Sequence, residues 1–219
     1  MRIVRARGYG EARDALSHDW VRWSEERGAI PMAVPNALSD FAPFLDQGAP
    51  RLIVLTGGND AVAGGPGGDA EPIRDRCEHA LLDYAAARDV PVLAVCRGMH
   101  ILNLHFGGHV VPVLPDSGAG HVGGSHQIRF EPDISCALGR DRAATNSFHR
   151  QGVARNGVAP ALRVAATCAR DGFVEALIHP SRRMIGIQWH PERPNPASDV
   201  DGVLLDTLLC PRPFWVRTP

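Results

Sequence analysis

Apolar residues along the chain fall into short runs, and the spacing between the runs alternates between two kinds. RIVRA (2–6) and IPMAV (30–34) are strand-like, and the stretch from Gly10 to Arg27 between them reads as a helix. RLIVL (51–55) and PVLAV (91–95) are short and continuously apolar, as expected of strands buried on both faces. Glu71–Arg88 carries Ile73, Cys77, Leu81 and Tyr84 at helical spacing, and Arg97–Phe106 follows PVLAV as a second helix. Beyond residue 108 the runs HVVPV, HQIRF, LRVAAT, FVEALIH and MIGIQWH succeed one another between Gly, Pro and Asn, and Asp199–Leu209 closes the chain as a helix. Repeated strand–helix units followed by a series of strands predict an α/β fold: a mostly parallel central sheet with helices on both faces and a mixed extension. There is no internal repeat and no linker long enough to separate domains, so residues 1–219 read as a single domain. The Pro-rich end PRPFWVRTP (211–219) reads as irregular, docked by Phe214 and Trp215.

Composition narrows the chemistry. All 23 basic residues are arginine, and they nearly balance 24 acidic ones for a formal net charge of −1. A chain without lysine has no Schiff-base lysine and no Walker-type phosphate lysine. A balanced charge gives no footprint for nucleic acid. The N-terminus lacks a signal-peptide core, and no apolar stretch reaches membrane-spanning length, so the expectation is a cytoplasmic protein acting away from membranes. Five cysteines, widely spaced and with no CxxC pair, read as reduced thiols. Ten histidines raise the question of a metal. His100, His105 and His109 do not share the spacing of helical ligand pairs, and His121 and His126 lie beside a Gly-rich turn, so no metal and no cofactor is expected. The loop TGGNDAVAGGPGGD (56–69) has no following Lys-Ser/Thr and reads as an active-site border.

In an open α/β sheet, ligands bind beyond the carboxyl ends of the strands. PVLAV ends in Cys96-Arg97-Gly98, with small residues Ala94 and Gly98 flanking the thiol as a sharp strand-to-helix turn requires. A thiol nucleophile needs a base and a group to orient that base. GIQWHPER (186–193) supplies His190 and Glu192 at another strand end, two residues apart and able to point the same way.

LTGGND, VCRGMHILN, TNSFHRQG, DGFVEAL and GIQWHPE occur together and in order, and this set resembles the class I glutamine amidotransferase-like γ-glutamyl hydrolases over residues 1–210. The resemblance implies a flavodoxin-like glutamine amidotransferase fold and a Cys-His-Glu triad of Cys96, His190 and Glu192. It also implies an oxyanion hole from the backbone N–H groups of Gly58 and Arg97, and substrate contacts from His100, Asn146, Ser147 and His149. His100 stands where that family usually has Gln. The implied activity is hydrolysis of the γ-glutamyl amide of a small molecule by a possible homodimer. E-A-R-D-A-L-S-H-D-W (11–20), HVGGSHQIRF and HPER resemble the subgroup acting on γ-glutamyl-CDP-amidate in capsule phosphoramidate assembly, with Arg13, Arg97 and Arg150 as phosphate contacts. Two alternatives are γ-glutamyl-γ-aminobutyrate hydrolase and the glutaminase subunit of an amidotransferase. A third is a binding module that has kept the fold without catalysis.

Overall fold

The computed structural model describes residues 1–6, 8–61, 69–113 and 121–216. Its central sheet has seven strands, β3 (Ile53–Leu55), β4 (Val92–Val95), β6 (Val122–Phe130), β7 (Arg142–Phe148), β9 (Arg163–Cys168), β10 (Val174–Ile178) and β11 (Met184–Ile187), in the order β3-β4-β11-β10-β9-β6-β7. The strand β3 crosses to β4 through α3 (Pro72–Arg88), and β4 leads into α4 (Arg97–His105). Helices α1 (His18–Glu25), α2 (Ala42–Gly48), α5 (Pro132–Leu138) and α6 (Ser198–Leu209) complete the helical complement among the described residues.

The continuous apolar runs are explained by two cores on opposite faces of the sheet. On β4, Leu93 and Val95 pack with Trp20, Trp23, Trp189, Leu204 and Trp215 on one face. Val92 and Ala94 pack with Leu81, Met99 and Leu102 on the other. Every side chain of the strand therefore meets apolar neighbours, and alternation with polar residues is absent. Trp215 docks the Pro-rich end as expected, whereas Phe214 stays exposed.

Four expectations need correcting. Parallel pairing is confined to β3, β4 and β11, while β10, β9, β6 and β7 are antiparallel, so the sheet is mixed. Short connections such as 169–173 and 179–183 cannot carry a chain back for parallel pairing. The helix expected from Gly10 is confined to α1, which Ser17 caps by accepting from the Asp19 N–H at 3.3 Å. Gly8 and Gly10, both at positive φ, instead turn β1 (Arg2–Arg5) back on β2 (Ala12–Ala15) as an antiparallel hairpin. IPMAV forms no strand, and Ile30 is 95% exposed. The HVVPV run gives only β5 (Val111–Pro112), paired with β8 (Gln151–Gly152) outside the main sheet. The hairpin is tied to the end of β3 by Asn59, whose side chain accepts from Ile3 N–H at 2.9 Å and donates to Ile3 C=O at 3.0 Å.

Candidate active site

The two motif-bearing strands are parallel neighbours in register, with Val95 opposite Ile187. Cys96 follows one and Gln188–His190 the other, so both motifs emerge at the same sheet edge. The Cys96 N–H donates to the Ile187 carbonyl at 2.8 Å, joining the two ends. Cys96 itself adopts φ 54° and ψ −108°, a conformation that non-glycine residues hold only where the surroundings enforce it. The enforcement comes from α4 packing directly on β3: a Cβ on Gly98 would lie 2.4 Å from the Leu55 carbonyl oxygen. Glycine at 98 lets the helix start this close, and the turn thrusts the thiol out of the strand.

His190 is buried and held from three sides. Its Nδ1 lies 2.7 Å from Glu192 Oε1, so the Nδ1–H donates to the carboxylate and Nε2 is turned away. Asn146 clamps the backbone, accepting from the His190 N–H and donating to the His190 carbonyl, each at 2.8 Å. Phe148 meets the imidazole edge-on at 5.7 Å between ring centres. Burial alone would lower the imidazole's affinity for a proton, but the neighbouring Cys96 and Glu192 outweigh it and push the pKa up to about 9. Cys96 and His190 both border Gly57, where a Cβ would lie 3.5 Å from Cys96 Cβ and 2.8 Å from His190 Cε1.

The TGG turn after β3 is aimed by Arg74. In the sequence, Arg74-Asp75 reads equally as a solvated pair at a helix start and as a match to the family's Arg-Asp pair. Instead, Arg74 is fully buried, and α3 turns inward a face of Arg74, Cys77, Glu78, Leu81 and Leu82, leaving Ile73 exposed. Arg74 donates to the carbonyls of Thr56 at 2.7 Å and Gly57 at 2.9 Å, and to Glu78 at 2.8 Å. In a trans peptide the N–H points opposite to the C=O. Drawing the Gly57 carbonyl toward Arg74 therefore points the Gly58 N–H in the opposite direction within the peptide plane, away from Arg74. Gly58 sits at φ +120°, a region that glycine reaches readily. Glu78 is held ionised below the usual carboxylate range, because Arg74 and Arg97 outweigh the burial that would raise it. The i, i+4 spacing of Arg74 and Glu78 was the visible signal for this network.

Arg97, expected both in the oxyanion hole and as a phosphate contact, can serve only the first through its side of the turn. Its side chain is buried in ion pairs with Glu78 and Asp75. Its backbone N–H, at the first turn of α4, has no acceptor within the helix. Of the other arginines named for phosphate, Arg13 pairs with Glu11 and Tyr9 on the hairpin, and Arg150 is exposed. Arg193, named only as part of HPER, lies over Phe148 at 4.6 Å from the ring centre, at the rim above His190.

The expected substrate contacts are brought near the site, but their side chains engage protein. Asn146 is spent on His190 and on the Pro194 carbonyl at 3.0 Å. Ser147 donates to the His121 carbonyl at 2.9 Å. His149 Nδ1 lies 2.8 Å from the Gln151 carbonyl. TNSF is the end of strand β7, so alternate residues face opposite ways: Asn146 and Phe148 serve His190, Ser147 and His149 the side of His121. His100 Nε2 is 2.8 Å from Gln188 Oε1. Burial lowers its pKa to about 4, so the ring is neutral and its Nε2 proton goes to Gln188. That leaves His100 Nδ1 as an acceptor and the Gln188 amide as a donor, both without a partner among the described residues. Sequence reasoning passed over Gln188 inside GIQWHPE. The segment 62–68 of the Gly-rich loop lies outside the described residues.

The family model for peptidase C26 matches residues 4–192. The chain belongs to the peptidase C26 family. It is a hydrolase with the class I glutamine amidotransferase fold, similar in sequence to γ-glutamyl hydrolases. The γ-glutamyl-γ-aminobutyrate hydrolase of Escherichia coli O157:H7 is 32% identical, over 87% of this chain and 83% of that protein. The γ-glutamyl-CDP-amidate hydrolase of Campylobacter jejuni is 24% identical, over 91% of this chain and 90% of that one. Among solved structures, the glutaminase domain of Trypanosoma brucei CTPS with bound acivicin superposes with a TM-score of 0.63 at 15% identity, over 89% of this chain and 88% of that one. No helix among the described residues is long and apolar enough to cross a membrane.

Proposed function

We propose that this family member hydrolyses a γ-glutamyl amide through Cys96, His190 and Glu192. The observation that carries the reading is the strained Cys96 turn set beside an imidazole whose far nitrogen is fixed by a buried carboxylate. Cys96, its proton passed to His190, attacks the δ-carbonyl of the glutamyl group. The oxyanion is met by the N–H groups of Gly58 and Arg97, each such donor being worth about 3–4 kcal/mol. His190 gives its proton to the departing amine, leaving a glutamyl thioester on Cys96. Water then attacks the thioester, giving up a proton to His190, and glutamate leaves with the regenerated thiol.

For the leaving group we keep γ-glutamyl-CDP-amidate. It is supported by the near full-length match to the Campylobacter relative and by the partly exposed Arg193 guanidinium over Phe148, a group suited to a charge-assisted bond to phosphate. A second reading, γ-glutamyl-γ-aminobutyrate, is favoured by the higher identity to the Escherichia coli relative. Free cysteines suit a reducing compartment, the cytoplasm. The test combines intact-mass detection of the thioester with kcat/KM for both compounds and for glutamine. A Cys96-dependent adduct and a preference for γ-glutamyl-CDP-amidate are expected. Turnover by Cys96→Ala overturns the mechanism. A preference for γ-glutamyl-γ-aminobutyrate overturns only the leaving group, and activity on glutamine that needs a partner protein restores the glutaminase reading.

A further inference from the structure

A second polar cluster lies on the opposite side of β7 from His190, and the reaction above does not use it. His121 precedes β6, His149 follows β7 and Glu175 lies on β10, all three buried. His121 Nδ1 is 3.0 Å from His149 Nε2, and Glu175 Oε1 is 3.8 Å from each of those nitrogens. His126, on β6, brings Nε2 to 3.1 Å from the same carboxylate oxygen.

The outer hydrogen bonds fix what faces inward. His121 Nε2 lies 2.7 Å from Asp171 Oδ2, so its proton goes to that carboxylate. His149 Nδ1 faces the Gln151 carbonyl, which can only accept. With both rings neutral, the nitrogens turned to each other are two lone pairs 3.0 Å apart. Such a pair requires a cation between them, either a proton or a metal ion. Both Glu175 oxygens and both His126 nitrogens are buried with no hydrogen-bond partner among the described residues. One proton between two imidazoles adds nothing to the Glu175 carboxylate, whose closest neighbour is His126 Nε2 at 3.1 Å.

We propose that this cluster is a binding site for a first-row divalent metal ion, Zn²⁺ fitting best, held by His121 Nδ1, His149 Nε2 and Glu175 Oε1. Ligand atoms at roughly 2.0–2.1 Å in a tetrahedron stand about 3.3 Å apart. The three separations, 3.0, 3.8 and 3.8 Å, lie within half an ångström of that value. The two imidazole ligands select zinc-like ions over calcium or magnesium. Asp171 and the Gln151 carbonyl stand behind the two histidines as the outer acceptors that metal-bound imidazoles require. A dication also balances the buried Glu175 and the adjoining Asp171. The ion joins β6, β7 and β10 and braces the strand end from which Asn146 and Phe148 hold His190. Sequence spacing could not disclose it, because the three ligands come from the start of β6, the end of β7 and β10.

The test strips the full-length protein with chelator, restores ZnCl₂, desalts it and counts metal by mass spectrometry. One zinc per chain and a raised Tm are expected. Glu175→Gln and His149→Asn should lose stoichiometric zinc, and Asp171→Asn, which keeps the acceptor and the fold, should weaken binding about 10- to 100-fold. Co²⁺ in place of zinc should give tetrahedral visible bands without sulfur charge transfer, and the bands should persist in Cys96→Ala. Folded wild-type protein that retains no zinc overturns the proposal. Zinc binding lost in Cys96→Ala but kept in Glu175→Gln overturns it in favour of the catalytic pair. A sulfur charge-transfer band overturns the ligand set in favour of Cys168, which lies within 4.8 Å of the His126 and Glu175 donor atoms.

Discussion

Gly57→Ala adds one methyl group where Cys96 and His190 meet. Gly57 is not at positive φ, so the backbone accommodates alanine and the effect is confined to the new Cβ. That atom would stand 2.8 Å from His190 Cε1. Carbon atoms in ordinary contact are about 3.5 Å apart, so the imidazole must retreat by about 0.7 Å. It cannot swing freely, because Glu192 holds Nδ1 at 2.7 Å and Asn146 clamps the backbone. Misplacing a catalytic group by about 1 Å costs on the order of 10²-fold, so kcat should fall about 10- to 100-fold. Stability should change little, since the lost chain entropy of glycine, about 0.4–1 kcal/mol in alanine's favour, offsets part of the contact strain. The assay is steady-state release of p-nitroaniline from γ-glutamyl-p-nitroanilide, with Tm measured alongside. Gly202→Ala is the control: a Cβ there meets nothing within 4 Å, and kcat should match wild type. If Gly57→Ala keeps kcat within about threefold of wild type at an unchanged Tm, a displacement of a size that ordinarily costs catalysis dearly has had no effect, and the placement of His190 as the base is refuted.

Two further perturbations probe the same site. Glu192→Gln removes one of the two charges that push His190 up to about 9 against burial, so its pKa should fall. The alkaline limb of kcat/KM, where the imidazolium that protonates the leaving amine is lost, should then move to lower pH; an unmoved limb would assign that limb to another group. The same proton contributes stability that is full below the unfolded pKa of about 6.5 and is lost as pH rises through about 9, so urea midpoints should decline across that window in wild type and less in the variant. Arg74→Lys keeps the charge, but three ammonium donors cannot reproduce the planar fork across Glu78, Thr56 and Gly57. A mis-aimed Gly58 N–H should lower kcat by up to about 10²–10³-fold with KM little changed. An unpaired buried carbonyl costs about 1–3 kcal/mol, which for a chain of this size lowers Tm by roughly 2–12 °C. A lowered Tm with unchanged kcat would restrict Arg74 to stability.

The sequence by itself determined the features that depend on neighbours along the chain. PVLAV followed by Cys-Arg-Gly encodes a buried strand, a sharp turn and a helix, and HPE encodes a base with its orienting acid two residues on. Both motifs are local, and both emerge at the same sheet edge. The central apolar runs and the closing helix were legible for the same reason, since their period and length are written in consecutive residues. Tertiary structure decided what depends on partners far along the chain. GYG became a hairpin turn, because β1 could pair with β2 and dock through Asn59, where helical propensity alone would have continued through residues 10–17. For Arg74 the sequence left a solvated helix start and a site role equal, and the approach of α3 to the turn after β3 gave it two carbonyls and a buried glutamate. Asn146, Ser147 and His149 read as one substrate loop, but strand alternation sends them to two different sites. The histidine–glutamate cluster is the extreme case. His121, His149 and Glu175 have no common spacing, and only the antiparallel order β10-β9-β6-β7 sets their donor atoms together. Side-chain partners follow strand pairing, and strand pairing is settled by burying both faces of the whole sheet at once.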